Sequence, residues 1–181
     1  GAMREAIKIS ESLSPVVLWI DEIEKGFAQS EKDESTTRVF GSLITWLAEK
    51  KAQVFVVATA NDVSGLPPEL LRKGRFDEIF FVDLPAPAVR AEIFRIHLRK
   101  RGQGVEGFDC DALAQAAEGF AGAEIEQAVV SALYAAHAEQ VPLAMRHVEA
   151  ELKATRPLSV VMAENIAALR IWAAERTVSA D

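Results

Sequence analysis

The sequence predicts an α/β layer followed by an all-α bundle. Three observations carry this. Two short, continuous apolar runs, Val16–Ile20 and Val54–Ala58, are separated by a stretch with helical spacing. No strand pattern occurs after residue 87. Between the halves stands Pro85-Ala86-Pro87, which breaks the chain. Apolar, β-branched runs without alternation suit strands buried on both faces of a parallel sheet. Strands that alternate with helices argue for α/β architecture.

Each element has its own reason. Gly1-Ala2-Met3 looks like the scar left by removal of an expression tag and is set aside. The natural protein is accordingly expected to extend upstream. Residues 4–13 have helical spacing and stop before Pro15. Val16–Ile20 is the first strand and ends in Asp21-Glu22. Residues 29–35 are polar and read as loop. Residues 36–50 place Val39, Leu43 and Leu47 on one helical face, with Phe40 and Ile44 beside them. Val54–Ala58 is the second strand, and Ile79–Val82 a third after a Gly/Pro-marked loop. Pro87 suits the first turn of a helix, where its missing N–H costs nothing. Helices are expected over 87–101, 110–118, 122–138, 142–154 and 159–175. The expected division is a partial α/β subdomain over 4–86 and a helical subdomain over 87–181.

Composition narrows the function. Half of the 181 residues are hydrophobic, enough for a real core, and the net charge is −7. That charge argues against nucleic acid, which needs clustered Lys and Arg. The one cysteine, Cys110, excludes an internal disulfide and reads as a small buried residue. The longest apolar runs, Val16–Ile20 and Val54–Ala60, fall far short of the roughly 20 residues a membrane helix needs. No membrane partner is therefore expected, and the lone thiol with no visible signal peptide leads to the expectation of a cytoplasmic location.

Three motifs carry chemistry. A buried strand ending in Asp21-Glu22 sets two carboxylates at the C-terminal edge of the sheet, where open α/β sheets bind ligands. The first can hold Mg²⁺, which prefers hard oxygens and keeps much of its water. The second can orient or deprotonate an attacking water. The same residues also fit a helix start, where acidic side chains favour the dipole. The second strand leads to Asn61, an amide able to bond a γ-phosphate and an attacking water. Asn61-Asp62 is equally ordinary turn chemistry. Leu66-Pro67-Pro68-Glu69-Leu70-Leu71-Arg72-Lys73-Gly74-Arg75-Phe76-Asp77 predicts a Pro-started helical turn presenting Arg72 and Arg75, with Gly74 allowing a tight exit. Guanidinium groups fork onto phosphate oxygens. A solvated basic turn, or an Arg75–Asp77 pair, is the alternative.

The order and separation of these motifs resemble the AAA ATPase signature. Glu118-Gly119-Phe120-Ala121-Gly122-Ala123-Glu124-Ile125 resembles the lid motif of the same family. The wording LWIDEIEKGF with LPPELLRKGRFDEIFFVDLP is most similar to the uncharacterised AAA proteins of cyanobacteria and plastids and their bacterial relatives. The resemblance implies the C-terminal half of a P-loop NTPase parallel sheet, followed by a helical lid, working with ATP and Mg²⁺. It makes Asp21 the Walker B metal residue, Glu22 the residue polarising water, and Asn61 the first sensor. Arg72 and Arg75 become fingers inserted into the next subunit's ATP site, in a homo-hexamer that remodels a macromolecular substrate. His97 matches a lid histidine near adenine or ribose, and Gly122 and Ala123 would touch the nucleotide. A core-edge histidine sharing a face with Ile93 is the alternative for His97. Arg38 aligns with a subunit-interface arginine, with a solvated face as its alternative.

One expected part is missing. No Gly-x-x-x-x-Gly-Lys-Ser/Thr occurs in these residues. That loop supplies the N–H cradle for the phosphates. The resemblance places it upstream, with the central strand of a sheet ordered five-one-four-three-two, of which this chain holds strands three, four and five. The α/β part is therefore expected to be rearranged, swapped, or closed by another chain, and the 181 residues alone to be catalytically silent. A non-hydrolysing module that assembles rings or binds a regulator is the other reading.

Overall fold

The computed structural model of the chain describes residues 2–30, 34–72 and 74–179, and not the side chains of residues 2, 28–30, 34–40 and 179. The Arg38, Val39 and Phe40 side chains therefore lie outside the described residues. The chain divides into two compact units, one over Gly1–Phe80 with Arg176–Val178, the other over Phe81–Glu175 with Ser179–Asp181.

In the first unit, helix α1 (Ala2–Ser12) leads into strand β1 (Val16–Ile20). Helices α2 (Ile23–Ser30) and α3 (Glu34–Glu49) precede strand β2 (Val54–Ala58). The two strands pair in parallel and flush, Val16 opposite Val54 and Ile20 opposite Ala58. Their lower ends are tied by Val16 N–H donating to Gln53 O at 3.1 Å and Gln53 N–H donating to Ser14 Oγ at 3.0 Å. One face of this pair packs Ile20, Val56 and Ala58 against a core of Ile7, Ile23, Phe27, Leu43, Leu47 and Leu70.

The other face does not match the expectation of strands buried on both sides. Val17, Trp19 and Phe55 are 61%, 63% and 68% exposed. In a pleated strand alternate side chains point to opposite faces, so helices on one side bury only every second residue. The third strand also differs. Strand β3 is only Phe80–Phe81 and does not join β1 and β2. Its partner is β4 (Val178–Ser179), where Val178 N–H donates to Ile79 O at 2.8 Å. The β1–β2 pairing needs no other chain. Helix α2 occupies part of the stretch read as loop, and its start follows Asp21-Glu22 directly. The strand-end and helix-start readings of that acidic pair are therefore both satisfied at one corner.

The second unit, among the described residues, has helices as its regular elements apart from Ser179 of β4 and Phe81 of β3. It comprises α4 (Pro87–Lys100), α5 (Cys110–Ala116), α6 (Gly122–Ala138), α7 (Met145–Ala154), α8 (Leu158–Val161) and α9 (Ala163–Ala174). The core is built on Phe94, Leu98, Leu113, Ile125, Val129 and Val148, each fully enclosed. Cys110 is buried at the start of α5, which Asp109 caps by accepting from Ala112 N–H at 2.9 Å. Pro87 occupies the first turn of α4 as expected. The helix predicted over 159–175 is broken at Met162, between α8 and α9. Arg90 is 7% exposed and donates from Nε to Ala114 O and from Nη1 to Pro85 O, both at 2.8 Å. This satisfies a buried charge with two backbone carbonyls, one of them in the linker that enters α4.

Candidate active site at the ends of two parallel strands

Flush pairing decides what lies beyond the strands. Ile20 sits opposite Ala58, so Asp21 and Glu22 emerge beside Thr59 and Asn61. Thr59 then makes four bonds. Its N–H donates to Ile20 O at 3.0 Å, and its carbonyl accepts from Ile23 N–H at 2.9 Å. Its hydroxyl donates to Asp21 Oδ1 and accepts from Glu22 N–H at 3.0 Å. Glu22 has φ of 50°, left-handed for a residue with a Cβ. Such a conformation costs about 1–2 kcal/mol and persists only where the surroundings over-determine it. Bonds from Thr59 to residues on both sides of the turn supply that constraint.

The Glu22 carboxylate is held on both oxygens. Asn61 Nδ2 donates to Oε1 at 3.1 Å, and Lys25 Nζ donates to Oε2 at 2.7 Å. The hydrogen bond that Lys25 donates to Glu22 raises the pKa of its ammonium above the ordinary value. Glu24 secures the other strand end. Its Oε1 accepts from Asn61 N–H at 3.0 Å, and its Oε2 is buried without a partner among the described residues. Asp21, Glu22 and Asn61 are thus brought together as the spacing suggested. Thr59 and Glu24 were missed. No local signal could have found Thr59, because the register of β1 on β2 that puts it next to Asp21 is not set by either run alone.

The donor set suits Mg²⁺ delivered with a nucleotide better than a protein-only metal cage. Among the described residues no group of three or more His, Cys, Asp or Glu is arranged to hold an ion. Mg²⁺ is commonly held by one or two carboxylates plus substrate phosphates, with water completing the shell. Asp21 has one oxygen oriented by the Thr59 hydroxyl and a second at the same corner, which fits that role.

The arginines lie on a turn of the same unit. Leu70, Leu71 and Arg72 donate from N–H to Pro67, Pro68 and Glu69 carbonyls at 2.9, 3.2 and 3.3 Å, making the Pro-started helical turn. Leu70 anchors it in the core at 1% exposure. Gly74 exits at φ of 93°, which a side chain would oppose. Arg72 is exposed. Arg75 donates from Nη1 to Glu69 O at 2.8 Å, while its buried Nε has no partner among the described residues. Its partner is that carbonyl rather than Asp77. Neither arginine bonds Asp21, Glu22 or Asn61.

His97, Gly122 and Ala123 belong to the second unit. His97 is half-buried on α4, one turn beyond Ile93. A Cβ on Gly122 would lie 3.6 Å from Ile93 Cδ1, so the start of α6 faces this part of α4. Arg101 Nη1 is 3.1 Å from His97 Nδ1, and Arg101 Nη2 donates to Glu126 Oε1 at 2.8 Å. The same Nδ1 lies 3.4 Å from Glu126 Oε1, so His97, Arg101 and Glu126 form one polar cluster. The Arg101 hydrogen bond holds the Glu126 carboxyl below its ordinary range. His97 is both a core-edge residue and a wired polar group.

A model described as "ATPase family associated with various cellular activities (AAA)" matches residues 1–84. An uncharacterised AAA domain-containing protein, ycf46, of Pyropia yezoensis is 48% identical over 177 residues, 96% of this chain and 36% of its own length. The chain belongs to the AAA family. This AAA chain is also 46% identical to the ycf46 protein of Guillardia theta over 94% of its residues and 35% of that relative. A proteasome-activating nucleotidase of Aeropyrum pernix is 35% identical over 140 residues, 73% of the chain and 34% of the relative. The AAA chain spans about a third of the length of these curated relatives. In fold it resembles the FIGL-1 AAA domain crystallised with ADP, with a TM-score of 0.77 at 18% identity, covering 97% of this chain and 62% of that one. Among the described residues no helix is long and apolar enough to cross a membrane.

Proposed function

We propose that these residues form the second half of an AAA ATPase module that couples Mg²⁺-dependent ATP hydrolysis to remodelling of a macromolecular substrate. The phosphate-gripping loop is supplied from outside these 181 residues, which contain none. The observation that carries the reading is the convergence of Asp21, Glu22 and Asn61 at the C-terminal ends of adjacent parallel strands, with Asn61 Nδ2 on Glu22 Oε1 at 3.1 Å.

Asp21, its carboxylate oriented by the Thr59 hydroxyl, is the residue that would hold a Mg²⁺ ion. When bound, the ion neutralises charge developing on the transferring phosphoryl oxygens. Glu22 is closed at rest by Lys25 and Asn61. When it gives up one of these partners it accepts a hydrogen bond from the attacking water and aligns it. Asn61 stays at the strand tip as donor to the γ-phosphate. Arg72 and Arg75 donate to the ATP of the neighbouring subunit in a homo-hexameric ring, a contribution of ~10³–10⁵ in rate. His97, with Gly122 and Ala123 at the start of α6, is the part of the helical unit that would contact adenosine.

Glu22→Gln in the full-length protein tests this. Turnover is expected to fall by at least about 100-fold, the lower end of general-base contributions, with ATP binding retained. Unchanged turnover removes the role given to Glu22. A wild-type parent that binds but never hydrolyses ATP is instead a ring-assembling, non-hydrolysing module. The 181 residues alone are expected to release no phosphate from Mg-ATP.

A further inference from the structure

We propose that Thr59 is a positioning residue for the acidic corner, setting both the direction of the Asp21 carboxylate and the backbone turn that presents Glu22. This rests on the hydrolytic reading given above. A threonine at the end of a strand is commonplace, because β-branched residues favour strands. The bonding of this one is not that of a spacer. Its hydroxyl is used twice, donating to Asp21 Oδ1 and accepting from Glu22 N–H at 3.0 Å. Its main chain is also used twice, toward Ile20 O at 3.0 Å and from Ile23 N–H at 2.9 Å. Four consecutive residues of the acidic strand end, Ile20 to Ile23, are therefore registered on one residue of the sensor strand.

The consequences for the corner differ by bond. The two main-chain bonds survive any substitution that keeps the fold, so β2 stays docked. The hydroxyl bonds do not. Without them Asp21 loses the donor that fixes one oxygen and so the direction of the other. Glu22 N–H loses its acceptor in a residue whose φ of 50° needs outside support. Thr59 thus ties the strand that ends in the sensor, Asn61, to the orientation of the metal residue. Movement of Asn61 against a phosphate would be transmitted to Asp21 through two residues of backbone and one hydroxyl.

Thr59→Val keeps the shape and removes the hydroxyl, and Thr59→Ser keeps the hydroxyl. Two measurements separate positioning from bulk structure. By NMR on the 181-residue chain, amide exchange at Glu22 is expected to quicken about tenfold or more in Thr59→Val and to stay near wild type in Thr59→Ser. Exchange at Ile23, bonded to the Thr59 carbonyl, is expected to change little in either. In the full-length protein, Thr59→Val is expected to raise the half-saturating Mg²⁺ concentration several-fold and to lower kcat about tenfold, with Mg²⁺-free ATP binding unchanged and serine restoring both. Equal loss of protection at Glu22 and Ile23, or an unaltered Mg²⁺ requirement with an unprotected Glu22 amide, overturns the proposal. Thr59→Ala, which adds no bulk, repeats the test if the valine variant does not fold. Failure of the hydrolytic reading is seen separately, as turnover that survives Glu22→Gln.

Discussion

Glu124 offers a sharp test of how the helical unit is held together. It sits at the third position of α6, and its two oxygens serve two backbone segments. Oε2 accepts from Ala121 N–H and Oε1 from Leu158 N–H, both at 2.8 Å. Ala121 has no side-chain acceptor, so this is the return half of a capping box without the forward half. A hydrogen bond to a charged group is worth about 1.5–3 kcal/mol when buried. Glu124 is half-buried, and solvent competes, so about 1 kcal/mol per bond is the appropriate scale. Its charge at a helix N-terminus adds about 0.3–1 kcal/mol. Glu124→Ala should therefore cost about 2–3 kcal/mol, a change of roughly 30- to 150-fold in the folded/unfolded ratio. Glu124→Gln keeps one acceptor oxygen and should lose about half as much. Urea unfolding followed by far-UV circular dichroism gives the stability, and amide exchange at Ala121 and Leu158 locates it. If Glu124→Ala stays within about 0.5 kcal/mol of wild type, the range of an ordinary surface change, and both amides keep their protection, the strap carries nothing.

Two further outcomes follow from the same unit. The hydrogen bonds from Arg170 Nε and Nη2, each 2.8 Å, hold the Asp83 carboxyl below its ordinary range. The folded pKa is depressed, so the pair's stabilisation is complete above the unfolded value of about 3.9 and fades as pH falls through the folded one. Asp83→Asn should thus differ from wild type in unfolding midpoint at pH 7 and converge with it in acid, and a gap that persists at pH 2 would contradict the assignment. Gly119→Ala should destabilise by about 1–2 kcal/mol or more, because φ is 79° and the added Cβ would lie 2.6 Å from Ser159 Oγ. Thermal unfolding checks this, and a neutral effect would mean that the turn before Phe120 relaxes freely.

Local signals were read well where a single segment decides the outcome. Both five-residue strands, Val16–Ile20 and Val54–Ala58, match the runs read from the sequence, as does α6 over Gly122–Ala138. Continuous β-branched runs and a long helical period are properties of one stretch of chain. The failures were of two kinds. Helix α2 was hidden because its eight residues lie between an acidic pair and a polar stretch, leaving too short a period to recognise. The break at Met162 was hidden because the apolar residues on either side of it continue in helical fashion.

Asp21, Glu22, Asn61, Arg72 and Arg75 were singled out from the chain alone because each stands at a strand end or a Pro/Gly-marked turn, and the roles given to them come from the resemblance of their order and spacing to a family. The sequence by itself also determined that these residues carry no Gly-Lys phosphate loop. Which partners those side chains take was decided only in three dimensions. Thr59 and Asp21 are 38 positions apart, and Asn61 and Glu22 are 39 apart. Only the flush register of β1 on β2 puts them within hydrogen-bonding distance. Exposure of Val17, Trp19 and Phe55 was likewise invisible in the apolar runs, because hydrophobicity records what a side chain favours and only packing decides which face finds a cover.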